Sequence, residues 1–339
     1  MSRKTKIWTI LIAAAVLAGA AIRDASAQAV NVDAAKKEAK VVVYGAQVPQ
    51  AMKPLHAAFE KKYGISVEYW RGSSTQVSER ALTEWRAGKP GFDVIEGNRG
   101  VQLIMRDDGL FQKYIPPSSA KFPAKFKEKD GMITPWRVLP ISNLYNTDMV
   151  KPGDLPKSFD DLLNPKWSGK ITMPDPTRHT TTAQFLWNLN KFKGDKWLDL
   201  VKGFANQKPL LVESLAPVTT TIIKGEAPVG ITYIKYVKQY KGPVNYVLMD
   251  KYLTDPNYMS LSAKAAHPNA AKLYLDFICS AEGQKLVADE GEFVMSPGIF
   301  PPIKDAEKVA PDMVFMDNPS EEEFKKLMSG TFRDIFFGK

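Results

Sequence analysis

"KVVVYGAQVPQAMKPLHAAFEKKYGISVEYW", Lys40 to Trp70, is the stretch whose reading decides the fold. Lys40 to Gly45 is a β-branched run closed by glycine. From Pro49 the apolar residues Met52, Leu55 and Phe59 recur at helical spacing, until Gly64 stops the pattern. Ile65 to Trp70 then reads as a second strand. Strand, helix and strand in about thirty residues predict a parallel βαβ unit, because parallel neighbours need a crossover of at least a dozen residues.

The same rhythm continues outward. "SSTQVSERALTEWRAG" (Ser73–Gly88) is a serine-capped helix, "FDVIEG" (Phe92–Gly97) a strand and "RGVQLIMRDDG" (Arg99–Gly109) a helix. A second unit follows as "GKITMPDP", "TTTAQFLWNLNKF", "KPLLVES", "APVTTTIIKGE" and "APVGITYIKY", from Gly169 to Tyr236. Between the units lies "GMITPWRVLPISNLYNTDMV" (Gly131–Val150), extended and marked by prolines, which predicts a crossover. A second crossover is expected near "GPVNYVLMD" (Gly242–Asp250), and "PNAAKLYLDFICSAEGQKLVADEG" (Pro268–Gly291) is expected as a helix returning to the first unit. The expected class is therefore α/β, with two lobes that are each a mostly parallel sheet flanked by helices. Residues 28–134 are assigned to lobe 1, 135–246 to lobe 2 and 247–300 to the return into lobe 1. Residues 301–339 are assigned to C-terminal helices on lobe 2.

The chain starts with Arg3, Lys4 and Lys6, then an apolar, Ala-rich run ending at Ala25-Ser26-Ala27. That is the pattern of a signal peptide cleaved after Ala27, in residues 1–27. No cysteine follows the run, so no lipid anchor is expected and the mature protein is placed in the periplasm. The formal charge is +9, and removing the leader leaves about +6. The lysines are scattered and interrupted by acids, which excludes the one-sided basic face of a nucleic-acid binder. Cys279 is the single cysteine, at helical spacing in an apolar run, so there is neither a disulfide framework nor a multi-cysteine metal site.

Ligands of open parallel sheets sit outside the carboxyl ends of the strands, where helices begin. Those positions hold small, hydroxylated or amide side chains: Tyr44 and Gln47, Ser73 and Ser74, and Asn98 in the first lobe. In the second they are Arg178, His179, Thr180, Thr181, Ser214, Tyr233, Lys235 and Tyr236. A helix N-terminus has unspent N–H groups and about half a positive charge, so it favours an anion. Thr180 or Thr181 is expected to cap its helix while a neighbouring hydroxyl and Arg178 meet the ligand. "GSST" (Gly72–Thr75) repeats the arrangement in the other lobe. His56 is expected in the core and His267 facing solvent, and Asp107-Asp108 are read as structural. No G-x-S-x-G, H-E-x-x-H or phosphate-loop motif occurs, so no catalytic residue and no cofactor are expected.

"VVVYGA" (Val41–Ala46), "FDVIEG", "LPISNLYNTDMV" (Leu139–Val150), "FDDLLNPKWSGKITMPDP" (Phe159–Pro176) and "FICSAEGQKLVADEG" (Phe277–Gly291) carry a family likeness. In these motifs the chain resembles periplasmic solute-binding proteins of ABC importers, in the branch of ferric-iron and aminoethylphosphonate binders. The resemblance implies a hinged, clam-like receptor of the type II periplasmic-binding-protein fold, expected as a monomer that hands its solute to a membrane permease. Ferric members carry a histidine after the first strand and a tyrosine pair ending the last strand of the second lobe. Here those places read Gln47 and Lys235-Tyr236. Fe(III) takes hard anionic oxygens and a protonated ammonium cannot be a ligand, so metal binding is not expected. Were the solute ferric, Tyr236 and Tyr233 would hold it. The preferred ligand is a small organic anion, carboxylate or phosphonate, paired with Lys235 and packed by Tyr44, Trp136 or Tyr233. The rival from another class is an exported hydrolase, which needs a nucleophile with a base or two opposed carboxylates.

Overall fold

A computed structural model describes residues 30–338. The leader and its cleavage site therefore lie outside the described residues. Strand β1 (Lys40–Gly45) is followed by helix α2 (Pro49–Tyr63), with α1 (Val32–Glu38) before it. Then come β2 (Ser66–Arg71), α3 (Ser74–Arg86), β3 (Val94–Asn98) and α4 (Arg99–Asp107). β1 pairs in parallel with both β2 and β3, as the βαβ reading requires. Gly64 ends α2 with φ 68°, a left-handed conformation that glycine adopts without strain.

The second lobe has the same plan. β5 (Ile171–Pro174) leads to α5 (Thr180–Asn188) and α6 (Trp197–Asn206), and β6 (Leu210–Val212) to α7 (Leu215–Ile223) and β7 (Val229–Tyr233). β5 is parallel to both β6 and β7. The two parallel sets are joined through the middle, in the order β2-β1-β3-β9-β4-β7-β5-β6. β4 (Thr134–Asn146) is the first crossover, as expected. Its first half pairs with β9 (Tyr252–Leu261) and β10 (Phe293–Val294), its second with β7 and β8 (Val244–Tyr246), all antiparallel. The result is a two-lobed α/β fold with two long strands running between the lobes.

The second crossover is not at Gly242–Asp250. That segment forms β8 on the end of β4, and the chain crosses in β9 instead. Asp255-Pro256 in β9 looks like a turn in sequence. Pro256 is tolerated because it lies between the stretch paired with β11 (Met313–Phe315), which ends at Thr254, and the stretch paired with β3, which begins at Asn257. The expected single return helix is two, α8 (Pro268–Cys279) and α9 (Ala281–Asp289). Ser280 takes an extended backbone between them and its Oγ accepts the Gly283 N–H, so it caps the second helix.

Each lobe has its own apolar core. In the first, Phe59 meets the edge of Tyr274 at 5.4 Å; in the second, Phe159 meets Phe185 at 5.0 Å. Cys279 is packed away, and burial pushes its thiol pKa up. His56 shares a 2.9 Å hydrogen bond with the Tyr274 hydroxyl, and burial lowers its pKa to about 4, so it is a neutral core residue. His267 does not face solvent as expected. Its Nδ1 lies 2.8 Å from Asp93, whose other oxygen accepts the His267 backbone N–H, and this ties the start of α8 to β3. Asp107 and Asp108 pair with Arg106 and Arg86 at the surface.

Candidate functional site

Between the lobes, at the carboxyl ends of the parallel strands, lies a cleft of about 760 Å³. Nine of the expected residues line it: Gln47, Ser73, Ser74, His179, Thr181, Ser214, Tyr233, Lys235 and Tyr236. Three helices point their N-termini at it. α3 begins behind Ser73, whose Oγ accepts the Gln76 N–H while the Gln76 side chain accepts the Ser73 N–H. That leaves the Ser74 and Thr75 amides of the first turn without helical partners. α7 begins at Ser214 with no side-chain cap, which leaves the Leu215 and Ala216 amides unspent.

The cap of α5 corrects the sequence reading. It is His179 rather than a threonine: Nδ1 accepts the Thr182 N–H at 3.2 Å and contacts the Thr182 hydroxyl at 2.8 Å. Burial lowers the ring pKa to about 4, so His179 is neutral, and with Nδ1 accepting, its proton sits on Nε2 as a donor. Thr181 faces the cleft. Thr180 is exposed outside it, and Arg178 is 85% exposed, 3.8 Å from Asp175 and away from the cleft.

Three other expected residues are elsewhere. Tyr44 points to the opposite face of β1, against Trp70 at 5.1 Å, with its hydroxyl on Glu84; burial raises its pKa to about 12. Asn98 caps α4 by accepting the Val101 N–H. Trp136 is 1% exposed and carries the Arg137 guanidinium on its ring, 4.7 Å from the centroid.

The floor of the cleft is an ionic network that sequence reasoning missed. Arg137 Nη2 donates to Glu96 Oε1 at 3.2 Å and to Asn257 at 2.9 Å, and Nη1 lies 3.0 Å from Glu292 Oε2. Glu96 Oε2 accepts the Ala46 and Gln47 amides at 2.6 and 3.0 Å, so those two N–H groups are not offered to a ligand. A Cβ at Gly45 would come within 2.9 Å of that same Glu96 oxygen and 2.5 Å of the Tyr69 hydroxyl, which is why the strand ends in glycine. Burial alone raises the Glu292 pKa, but Arg137 and Lys235 outweigh it and hold the carboxyl at about 2. Lys235, 2.9 Å from Glu292, is thus already paired rather than waiting for a solute. Among the described residues, Arg71 and Lys238 are the cleft-lining cations with no ion-pair partner. Arg71 stands one residue before the "GSST" loop, so the rule about strand ends reaches it if read one position earlier.

Tyr233 and Tyr236 do converge, with ring centroids 6.0 Å apart. Burial raises both phenol pKa values, Asp255 adding to the rise at Tyr233 and Glu292 at Tyr236. The Lys235 ammonium sits within 5.8 Å of the Tyr233 ring and 5.5 Å of the Tyr236 ring, which opposes a trivalent cation there.

Asp255 on β9 is 3% exposed, and burial lifts its pKa to about 7 against the pull of Arg137 and Arg99. A carboxyl whose folded pKa exceeds its usual 3.8 contributes stability that is present below 3.8 and is lost as pH rises through about 7. Asp255→Asn is therefore expected to raise the thermal midpoint over wild type at about pH 8 and to match wild type near pH 4. Midpoints measured at both values check this, and an equal shift at both would assign the effect to packing.

The model of the family described as bacterial extracellular solute-binding protein matches residues 89–320. A probable ABC transporter periplasmic-binding protein of Sinorhizobium fredii is 26% identical over 39% of this chain, a match spanning 37% of that relative's length. A Fe(3+)-binding periplasmic protein of Serratia marcescens is 22% identical, over 80% of this chain and 82% of that one. Among solved structures, the periplasmic binding protein AfuA of Actinobacillus pleuropneumoniae, with exogenous fructose-6-phosphate bound, superposes with a TM-score of 0.64. It is 21% identical and the match covers 88% of this chain and 96% of that one, a likeness of fold.

Proposed function

This chain belongs to the bacterial extracellular solute-binding protein family, and from that premise we propose that it is a periplasmic capture receptor of an ABC-type importer for a small organic anion. The observation that carries the reading is the convergence of three helix N-termini on one cleft, each with unspent backbone N–H groups. Arg71, Lys238 and the His179 Nε2–H add donors, while Tyr233, Tyr236 and Tyr240 give an apolar wall for the organic part. Contacts from both lobes stabilise the closed state, so the solute closes the hinge and presents a closed receptor to the permease. The fructose-6-phosphate held by AfuA is an anion of this class.

The ferric reading keeps the Serratia marcescens relative on its side. Against it stand Lys235 between the two tyrosines, Gln47 in place of a histidine, and no cluster of three His, Cys, Asp or Glu side chains suited to a metal among the described residues. For hydrolysis, the two buried cleft acids Glu96 and Glu292 are both bound by Arg137, and Glu292 has no proton to give at neutral pH.

A thermal-shift panel of organic acids, phosphonates and Fe(III) tests the proposal, because a ligand that binds only the folded state raises its midpoint. A saturable rise with one organic anion is expected. A rise with Fe(III) alone, accompanied by a coloured tyrosinate complex, would replace this reading with the ferric one.

A further inference from the structure

The hinge end of the cleft brings together a donor set that is ordinarily found around a bound carboxylate. Glu292 Oε1 receives Gln47 Nε2 at 2.6 Å, Lys235 Nζ at 2.9 Å and Gln239 Nε2 at 3.3 Å, and Oε2 lies 3.0 Å from Arg137 Nη1. Gln47 follows β1 in the first lobe and Arg137 lies in the crossover strand β4. Lys235 caps the start of the short helix Tyr236–Gln239 of the second lobe and Gln239 is its last residue. Glu292 itself hangs between α9 and β10, on the first lobe's side. We propose that this end of the cleft is an oxyanion cradle that the chain fills with its own Glu292 carboxylate, which thereby latches the two lobes and limits which solutes fit.

Three further observations support the latch. Gln239 Nε2 also donates to the Glu290 carbonyl at 3.1 Å, so the 290–292 segment is held twice by one side chain of the other lobe. Gly291 takes φ 93°, and a Cβ there would sit 3.0 Å from the Lys238 Cβ and 3.2 Å from the Lys235 carbonyl, so only glycine lets the segment dock so closely. Arg137 Nε is also buried without a hydrogen-bond partner, so this end of the cleft holds a donor that Glu292 does not use.

Two consequences follow for the solute. Lys235 and Arg137 are neutralised in place, which leaves solute charge to Arg71, Lys238 and the three helix ends. A second anionic group of a solute reaching the hinge end finds the Arg137 and Lys235 donors already taken by Glu292 and gains no pairing there. The cradle stands whatever the solute is. A failure of wild type to bind any organic anion would remove the proposed function without touching the cradle.

Formate is the probe. In Glu292→Ala the four donors lose their acceptor, so the midpoint is expected to fall, and formate to restore it saturably while leaving wild type unmoved. Equal formate shifts in both proteins, or none in the variant, would overturn the proposal. If Glu292→Ala does not fold alone, refolding it in formate carries the test: formate is expected to recover the fold where chloride at equal ionic strength does not, and no such recovery would overturn the cradle equally.

Discussion

Arg137→Ala is expected to lower the stability of the folded protein by about 3–5 kcal/mol, the usual consequence of removing one partner from a buried ion pair. Arg137 is 3% exposed and, among the described residues, is the cation that pairs with both Glu96 and Glu292, themselves 0% and 1% exposed. Glu96 keeps its two backbone donors and Glu292 keeps Lys235, Gln47 and Gln239, so neither carboxylate is stripped of every partner. What they lose is the charge that stands between them, and two carboxylates then face each other where water is scarce. Urea unfolding of the variant measures the loss. A cost below about 1 kcal/mol would mean the network is solvated and behaves like a surface pair. A triple variant, Arg137→Met with Glu96→Gln and Glu292→Gln, is expected to recover much of the loss, because uncharged partners need no counterion.

The second large effect is on binding and runs opposite to stability. Ser74 is the first residue of α3 and lines the cleft. Ser74→Asp places a carboxylate at a helix N-terminus, which favours the helix by about 0.3–1 kcal/mol. The same carboxylate stands where the solute's anion is held. Like charges about 4 Å apart at an effective dielectric of 20 repel by about 4 kcal/mol, so affinity is expected to fall by two to three orders of magnitude. The variant should therefore melt at or above the wild-type temperature and fail to respond to the anion that stabilises wild type. An unchanged affinity would take the α3 terminus out of the site.

The architecture was legible wherever one residue pattern dominated its segment. β1 to α4 alternate strand and helix periods cleanly, and β4 shows itself as thirteen extended, mostly apolar residues. β9 was hidden by Asp255-Pro256, since the gap in pairing that accommodates the proline exists only in the assembled sheet. The break at Ser280 was hidden because the apolar spacing runs on across it. For the site, the rule about strand ends named two of the three helix termini and reached nine lining residues, Ser214 at the third terminus among them, because that placement follows from topology. It could not find which side chains neutralise one another. Gln47 and Glu292 are 245 positions apart, and Glu292 lies in a stretch with no motif of its own. Lys235 shows the consequence: its place at the cleft follows from the strand end, while its charge goes to Glu292 and not to a solute. Tyr44, Asn98 and Trp136 failed for a simpler reason: neighbours along a strand or loop alternate sides, and only one side faces the cleft.

A crystal structure of the protein saturated with the organic anion that most raises its melting temperature tests the central claim most directly. Closed lobes are expected, with an anionic group within hydrogen-bond reach of the first-turn amides at Ser74, Thr181 and Ala216. Density for the solute outside the cleft, or an iron atom bound by Tyr233 and Tyr236, would contradict it.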